Sequence, residues 1–191
     1  MKKFKNVLSK PIRNLVKFIS PISYVKWQYK YITGHKLNLN DPVRYTEKLQ
    51  HLRLFEYANN SVVSKCASRD GARKYLEESG LKKILIKSYG VYDRFDDIDF
   101  NKLPSQFVIK CTHACGYNKI VLDKSSLDIK RLRKQFHKWL KTDYGKKTCE
   151  PHYSHIKPRI IIEEYIGQLD SLPLEYKIHV FNGKAKSMYV V

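Results

Sequence analysis

The stretch Gln106-Phe107-Val108-Ile109-Lys110-Cys111-Thr112-His113-Ala114-Cys115-Gly116-Tyr117-Asn118-Lys119-Ile120-Val121 decides how the chain is read. The apolar run Phe107-Val108-Ile109 ends in Lys110. A short loop with Thr112, His113, Gly116 and Asn118 follows, and a second apolar run, Ile120-Val121-Leu122, leaves it. The pattern is strand, loop, strand. A lysine at a strand end beside a loop of small residues is a way to hold a phosphate. The ammonium supplies charge, and the loop supplies backbone N–H groups and a hydroxyl.

Downstream, Ser126 or Asp128 is positioned to cap a helix over 128–142. Its Ile129, Leu132, Phe136 and Leu140 form one apolar stripe. The opposite face carries Lys130, Arg131, Arg133, Lys134 and Lys138, a run that reads as a solvated face, so no nucleic-acid partner is expected. Residues 146–158 read as a polar loop. Arg159-Ile160-Ile161-Ile162-Glu163-Glu164-Tyr165-Ile166 is an apolar strand ending in acids. Leu174 to Phe181 alternates as a strand with Tyr176, Ile178 and Val180 on one face. Asn182-Gly183 is a hairpin turn, and Lys184 to Val191 returns.

Upstream, Thr46 is expected to cap a helix with Leu49, Leu52 and Phe55 on one face, and Asn59-Asn60-Ser61 to end it. A helix follows from Ser61 to Gly80, interrupted near Gly71. Ile84-Leu85-Ile86 suggests a strand. Asp93 to Pro104 is an acidic turn region, without the glycine and closing glutamate of an EF-hand. Residues 1–32 are basic and aromatic, with Leu8, Ile12, Leu15 and Ile19 near helical spacing. They read either as an interfacial helix touching anionic membrane or as a helix packed on the body with its lysines in solvent. The second is preferred, as surface helices are ordinarily amphipathic. The predicted organisation is a basic aromatic segment over 1–40, a helical and mixed part over 41–105, and a nucleotide-binding part over 106–191.

The 191 residues are 42% hydrophobic, enough for a buried core. Lys and Arg total 37 against 18 acids, a formal charge of +19, which calls for an anionic partner. Cys66, Cys111, Cys115 and Cys149 are too scattered for a disulfide framework, so a reducing, cytoplasmic setting is expected. No run approaches the roughly 20 apolar residues of a membrane span.

From about Asn38 to Val191 the chain resembles the TupA-like ATP-grasp family of bacterial polysaccharide biosynthesis, named for teichuronopeptide. The resemblance is carried by Thr46-Glu47-Lys48-Leu49-Gln50, Phe95-Asp96-Asp97-Ile98-Asp99-Phe100, Leu103-Pro104-Ser105-Gln106-Phe107-Val108-Ile109-Lys110-Cys111 and His113. It continues through Lys157-Pro158-Arg159-Ile160-Ile161, Glu164-Tyr165, Tyr176-Lys177 and Phe181-Asn182-Gly183-Lys184. It implies an α+β chain: a partial ATP-grasp fold, with helices and a small sheet followed by a largely antiparallel sheet with a packed helix. It implies that Lys110 and Arg73 reach the ATP phosphates and that Thr112, His113, Gly116 and Asn118 cover them. By the same resemblance Glu163, Glu164, Tyr165 and Ile166 run along the adenine, Glu175 takes the ribose, and Lys177 faces the cleft. The family's loop reads His-Gly-Ser-Gly-Gly-Asn; here it is His113-Ala114-Cys115-Gly116-Tyr117-Asn118, with less glycine and so fewer backbone conformations. The chain is expected to stop before the family's C-terminal strands, where the acidic and Asn ligands of Mg²⁺ belong, so no metal ligand and no catalytic residue is assigned here.

The function implied is an ATP-dependent carboxylate–amine ligase of cell-surface or capsule polysaccharide synthesis, using ATP and Mg²⁺. It joins an amino acid or other amine to a carboxylate of an acidic polymer through an acyl phosphate. The rivals are a glycosyltransferase-like protein of the same pathways and a non-catalytic basic module for anionic polymer or membrane. Cys111, His113, Cys115, Cys149, His152 and His155 include enough zinc-type ligands for a site, but not at the spacing of a zinc finger. Cys115 as a nucleophile has only His113 nearby in sequence.

Overall fold

In the computed structural model, which describes residues 10–168 and 172–191, the start of the chain forms two helices. α1 spans Lys10–Ile19 and α2 spans Pro21–Thr33. Pro21 separates them, because it has no N–H to donate into the preceding turn. Gly34, at φ 77°, closes α2 in the left-handed conformation. Lys2, Lys3, Phe4, Lys5 and Leu8 of the predicted N-terminal helix lie outside the described residues. The described part of that helix packs on the body, as preferred, but not by its apolar stripe. Ile12, Leu15 and Ile19 are 50%, 58% and 71% exposed. Val16 packs inward instead, and Lys17 donates to the Lys147 carbonyl at 2.9 Å.

α3 covers Tyr45–His51. Thr46 is not its cap: it lies inside the helix, with Oγ1 2.8 Å from the Tyr29 hydroxyl. Arg44 takes the cap position, and the Glu47 carboxylate accepts the backbone N–H groups of Val43 and Arg44 at 3.2 and 3.0 Å. Leu52–Glu56 continue as a π turn. The extra residue in that turn rotates the stripe. Leu54 is buried, while Leu49 and Phe55, expected on the inner face, are exposed.

α4 runs Ser61–Ala67 and opens on Asn60, whose side chain accepts from Val62 N and Val63 N. α5 runs Arg69–Glu78 and opens on Ser68, so the helix breaks three residues before Gly71. Gly71 has a packing role instead, since a Cβ there would strike the Lys65 backbone carbonyl. Gly80 closes the segment with φ 75°. The strand expected at 84–86 is displaced. Lys82–Ile84 form a 3₁₀ turn and β1 is Ser88–Tyr92. Only this later segment finds a partner, in the register Ser88↔Glu163 to Tyr92↔Ile160.

β2 is Phe107–Cys111 and β3 is Asn118–Val121. α6, Ile129–Leu140, is capped by Asp128, which accepts from Arg131 N at 2.9 Å. The region read as a loop at 146–158 contains most of α7, Tyr144–Thr148, and a 3₁₀ turn at Pro151–His155. β4 is Ile160–Glu164. β5, Tyr176–Phe181, and β6, Lys184–Val190, form the hairpin, with Asn182 and Gly183 both at positive φ (50° and 74°), as a type I′ turn requires.

The fold is α+β. The main sheet has order β1-β4-β2-β3 with every pair antiparallel. On one of its faces Phe107, Ile109, Ile160 and Ile162 pack against Leu132 and Phe136 of α6 and against Phe95 and Leu103. A second core joins Tyr24, Val25 and Tyr29 of α2 to Leu37, Leu39, Leu54 and Cys149. The β5–β6 hairpin is a separate two-stranded sheet whose large apolar side chains are exposed, Tyr176, Ile178 and Val180 each more than half.

Candidate nucleotide site

Side chains alternate across a strand, so β2 and β4 each present two sets. Phe107, Ile109 and Cys111 of β2, with Ile160 and Ile162 of β4, enter the core. Val108, Lys110, Ile161 and Glu163 therefore share the other face. The register places Val108 opposite Glu163 and Lys110 opposite Ile161. Lys110 and Glu163 are diagonal neighbours, within reach of two long side chains. Lys110 Nζ meets Glu163 Oε2 at 2.7 Å. α5 supplies Arg73, whose guanidinium meets Glu163 Oε1 at 3.2 Å. The carboxylate is 8% exposed and the two cations 23% and 18%. Two cations on one carboxylate leave the cluster with a net positive charge, in surroundings dry enough for charge-assisted hydrogen bonds to count. Sequence reading placed Lys110 and Arg73 on the same phosphates, and the structure joins them through Glu163.

The loop between β2 and β3 divides into an inner and an outer half. Thr112 is fully buried: its hydroxyl donates to the Lys157 carbonyl at 3.3 Å and accepts from Arg159 N at 3.1 Å. His113 is buried too. Its Nε2–H donates to the Trp139 carbonyl at 3.2 Å, and Nδ1 is enclosed without a partner. Burial pushes its pKa below the ordinary histidine value, against the pull of the Trp139 carbonyl. Tyr117 is buried and stacks on Trp139, centroids 4.9 Å apart. Cys115, Gly116 and Asn118 form the exposed outer half, with Gly116 at φ 74°. Of the expected phosphate contacts, Gly116 and Asn118 face solvent, while Thr112 and His113 hold the loop to the body.

Glu164 is exposed and its N–H bonds the Lys87 carbonyl at 2.9 Å. Tyr165 and Ile166 follow the end of β4, and the Tyr165 hydroxyl donates to the Gln168 carbonyl at 2.8 Å. Glu175 and Lys177 pair with each other at 2.9 Å on the hairpin. Among the described residues, their hydrogen bonds and ion pairs do not reach Lys110, Arg73 or Glu163. The Lys177 ammonium is held above the usual lysine value, chiefly by its hydrogen bond to Glu175.

Sequence reading missed three residues that brace this region. Arg69 donates to the carbonyls of Cys111 (3.1 Å) and Ala114 (2.6 Å), and its own N–H reaches the Thr112 carbonyl at 3.2 Å. Asp70, buried, receives both the Arg159 guanidinium and the Ser68 hydroxyl. The available signal was a polar cluster, Ser68-Arg69-Asp70, at a helix start; its partners lie about forty to ninety residues away and no periodicity reveals them. Between α4, α5 and the 155–159 segment lies a cavity of about 490 Å³, lined by Ser61, Lys65, Ser68, Lys74, Lys157 and Arg159 among others. It shares the 157–159 backbone with Thr112.

Among the described residues, no group of three or more His, Cys, Asp or Glu side chains lies together as a metal ion would require. The carboxylate in the cluster, Glu163, is occupied by Lys110 and Arg73. These residues do not make a Mg²⁺ site. Cys111 points into the core, away from Lys110, and burial pushes its thiol up to about 12.

No curated protein and no solved structure matches the chain. A family model described as TupA-like ATPgrasp matches residues 47–191, a span that contains Arg73, the β2–β3 loop, β4 and the hairpin. Families of this type use ATP and Mg²⁺. With that match over most of its length, the chain belongs to the TupA-like ATP-grasp family and is, at family level, an ATP-binding ligase of the ATP-grasp type.

Proposed function

We propose that this chain binds ATP across the face of the sheet marked by Lys110, Arg73 and Glu163, and serves in the cytoplasm to join an amine to a carboxylate of an acidic cell-surface polymer. The observation that carries the reading is the net positive cluster of Lys110, Arg73 and Glu163 beside the outer half of the β2–β3 loop. In this reading Lys110 and Arg73 bind the phosphates, and Gly116 and Asn118 close over them. Thr112 and His113 hold that loop in place. Glu163 positions the two cations, and Glu164, Tyr165 and Ile166 border the adenine. Glu175 takes the ribose, and Lys177 completes the rim. Phosphorylation of a carboxylate by ATP followed by amine attack releases ADP and phosphate.

The acceptor is assigned to the cavity between α4 and α5. Its lysines and arginine suit a carboxylate-bearing sugar, and its serines suit sugar hydroxyls. Lys74 makes no ion pair among the described residues, so it is the cation most available there. Incubation with ATP, Mg²⁺, glutamate and a uronic-acid polymer tests the reading by ADP release. Release that requires polymer and amine together supports it. Release of a nucleoside diphosphate from a sugar nucleotide supports glycosyl transfer instead. Polymer binding with no nucleotide turnover supports the non-catalytic module.

A further inference from the structure

α1 is an amphipathic helix whose apolar side faces out. Ile12, Leu15 and Ile19 recur at i, i+3 and i+7, a single stripe. In a helix packed on a core this stripe is the buried side. Here those residues are 50%, 58% and 71% exposed, the neighbouring Phe18 is 80% exposed, and Ile22 at the start of α2 is 40% exposed. The side of α1 turned to the body instead carries Val16 and Lys17, with Lys17 on the Lys147 carbonyl and 4.7 Å above the Tyr24 ring. A contiguous apolar patch of large side chains on a protein this basic marks a surface that meets something other than water.

Charge decides what it meets. No Asp or Glu precedes Asp41, whereas Lys2, Lys3, Lys5, Lys10, Arg13, Lys17, Lys26, Lys30 and Lys36 all do. A second copy docking patch to patch would bring these cations against their own kind within a chain of net charge +19. A bilayer with anionic headgroups takes both features at once: apolar side chains enter the acyl boundary and the cations lie among the headgroups. α1 is 10 residues long, and no described helix is long and apolar enough to cross a membrane, so the helix lies in the plane of the interface. We propose that α1 and the start of α2 form a docking surface for an anionic membrane, with Ile12, Leu15, Phe18, Ile19 and Ile22 as its apolar contacts. This inference does not depend on the nucleotide site.

The test is cosedimentation of the full chain with phosphatidylcholine vesicles, with and without phosphatidylglycerol, for the parent and a Leu15→Ser/Phe18→Ser variant. Both side chains are exposed, so thermal melts of the two proteins are expected to coincide. The parent is expected to bind phosphatidylglycerol vesicles, binding weakens as salt rises, and the variant's partition coefficient falls about tenfold or more. Equal binding by parent and variant would reduce the effect to charge alone and overturn the proposal. So would a parent that ignores these vesicles but self-associates through a contact the variant abolishes, since the surface would then belong to a second copy.

Discussion

Lys110 separates two roles that one residue holds at once. It is a partner to Glu163 in the free protein and, in the proposed function, a ligand of phosphate. Lys110→Met keeps the aliphatic stem and leaves Glu163 with Arg73, so the fold is expected to survive. ATP affinity is expected to fall by about ten- to a hundredfold, from the roughly 1.5–3 kcal/mol of a charge-assisted hydrogen bond. Lys134→Ala, on the exposed face of α6, removes the same charge and is expected to change little. A nucleotide titration able to read millimolar affinities compares them, and equal losses would remove Lys110 from the site. The cysteines give a second residue-level check. Cys66 and Cys115 are exposed; Cys111 and Cys149 are buried, and burial raises both of their thiols. A thiol reagent at neutral pH is expected to label Cys66 and Cys115 in the native protein, and Cys111 and Cys149 only on unfolding, as read by mass spectrometry.

At the scale of elements, the α4–α5 pair and the hairpin sit at opposite ends of stability. α4 and α5 approach so closely at Gly71 that a methyl group meets the Lys65 backbone carbonyl. Gly71→Ala gains helix propensity but must push the two helices apart, and a net loss of about 1–3 kcal/mol is expected in denaturant melts. A neutral or stabilising result would mean the helices separate freely. Among the described residues, β5 and β6 have no buried side chain and pair only with each other. A two-stranded ribbon is marginal in water without a packed face. Native-state amide exchange is expected to be fast across Tyr176–Val190 and slowest in β2 and β4, the central strands of the main sheet. Comparable protection of hairpin and sheet would show that the hairpin is covered in solution.

The whole molecule carries its histidine burial as a dependence on pH. His113 and His152 are buried, and burial lowers both below 6.5. The unfolded chain therefore binds protons, near its ordinary histidine value, that the folded chain refuses. Between the two values the unfolded state carries the more protons, so unfolding becomes easier as pH falls. The stability is complete above the unfolded value and is lost as pH falls from there through the folded ones. The melting temperature is expected to drop between about pH 7.5 and pH 5.5, before most carboxylates titrate. A flat profile over that interval would mean that the two imidazoles are solvated.

Features set by neighbours in sequence were legible in it. The strand–loop–strand at 107–121, the α6 stripe and the Asn182-Gly183 turn depend on residue type and period alone and are where the sequence puts them, although β3 opens at Asn118 rather than Ile120; of the two caps read for α6, Ser126 and Asp128, the structure uses Asp128. The site was legible in part, because Lys110 ends an apolar strand and Glu163 ends another. That the two touch depends on register between segments 53 positions apart, and bringing in Arg73 depends on how α5 crosses the sheet. Thr112 and His113 illustrate the limit: as sequence they belong to an open loop, but Arg69, Arg159 and Trp139 draw them inward. The strand at 84–86 failed for the same reason, since only a partner makes a strand. The stripe of α1 was legible as a stripe; which side faces the body is not encoded in its period. Periodicity fixes which residues share a face, and tertiary packing alone decides where that face points.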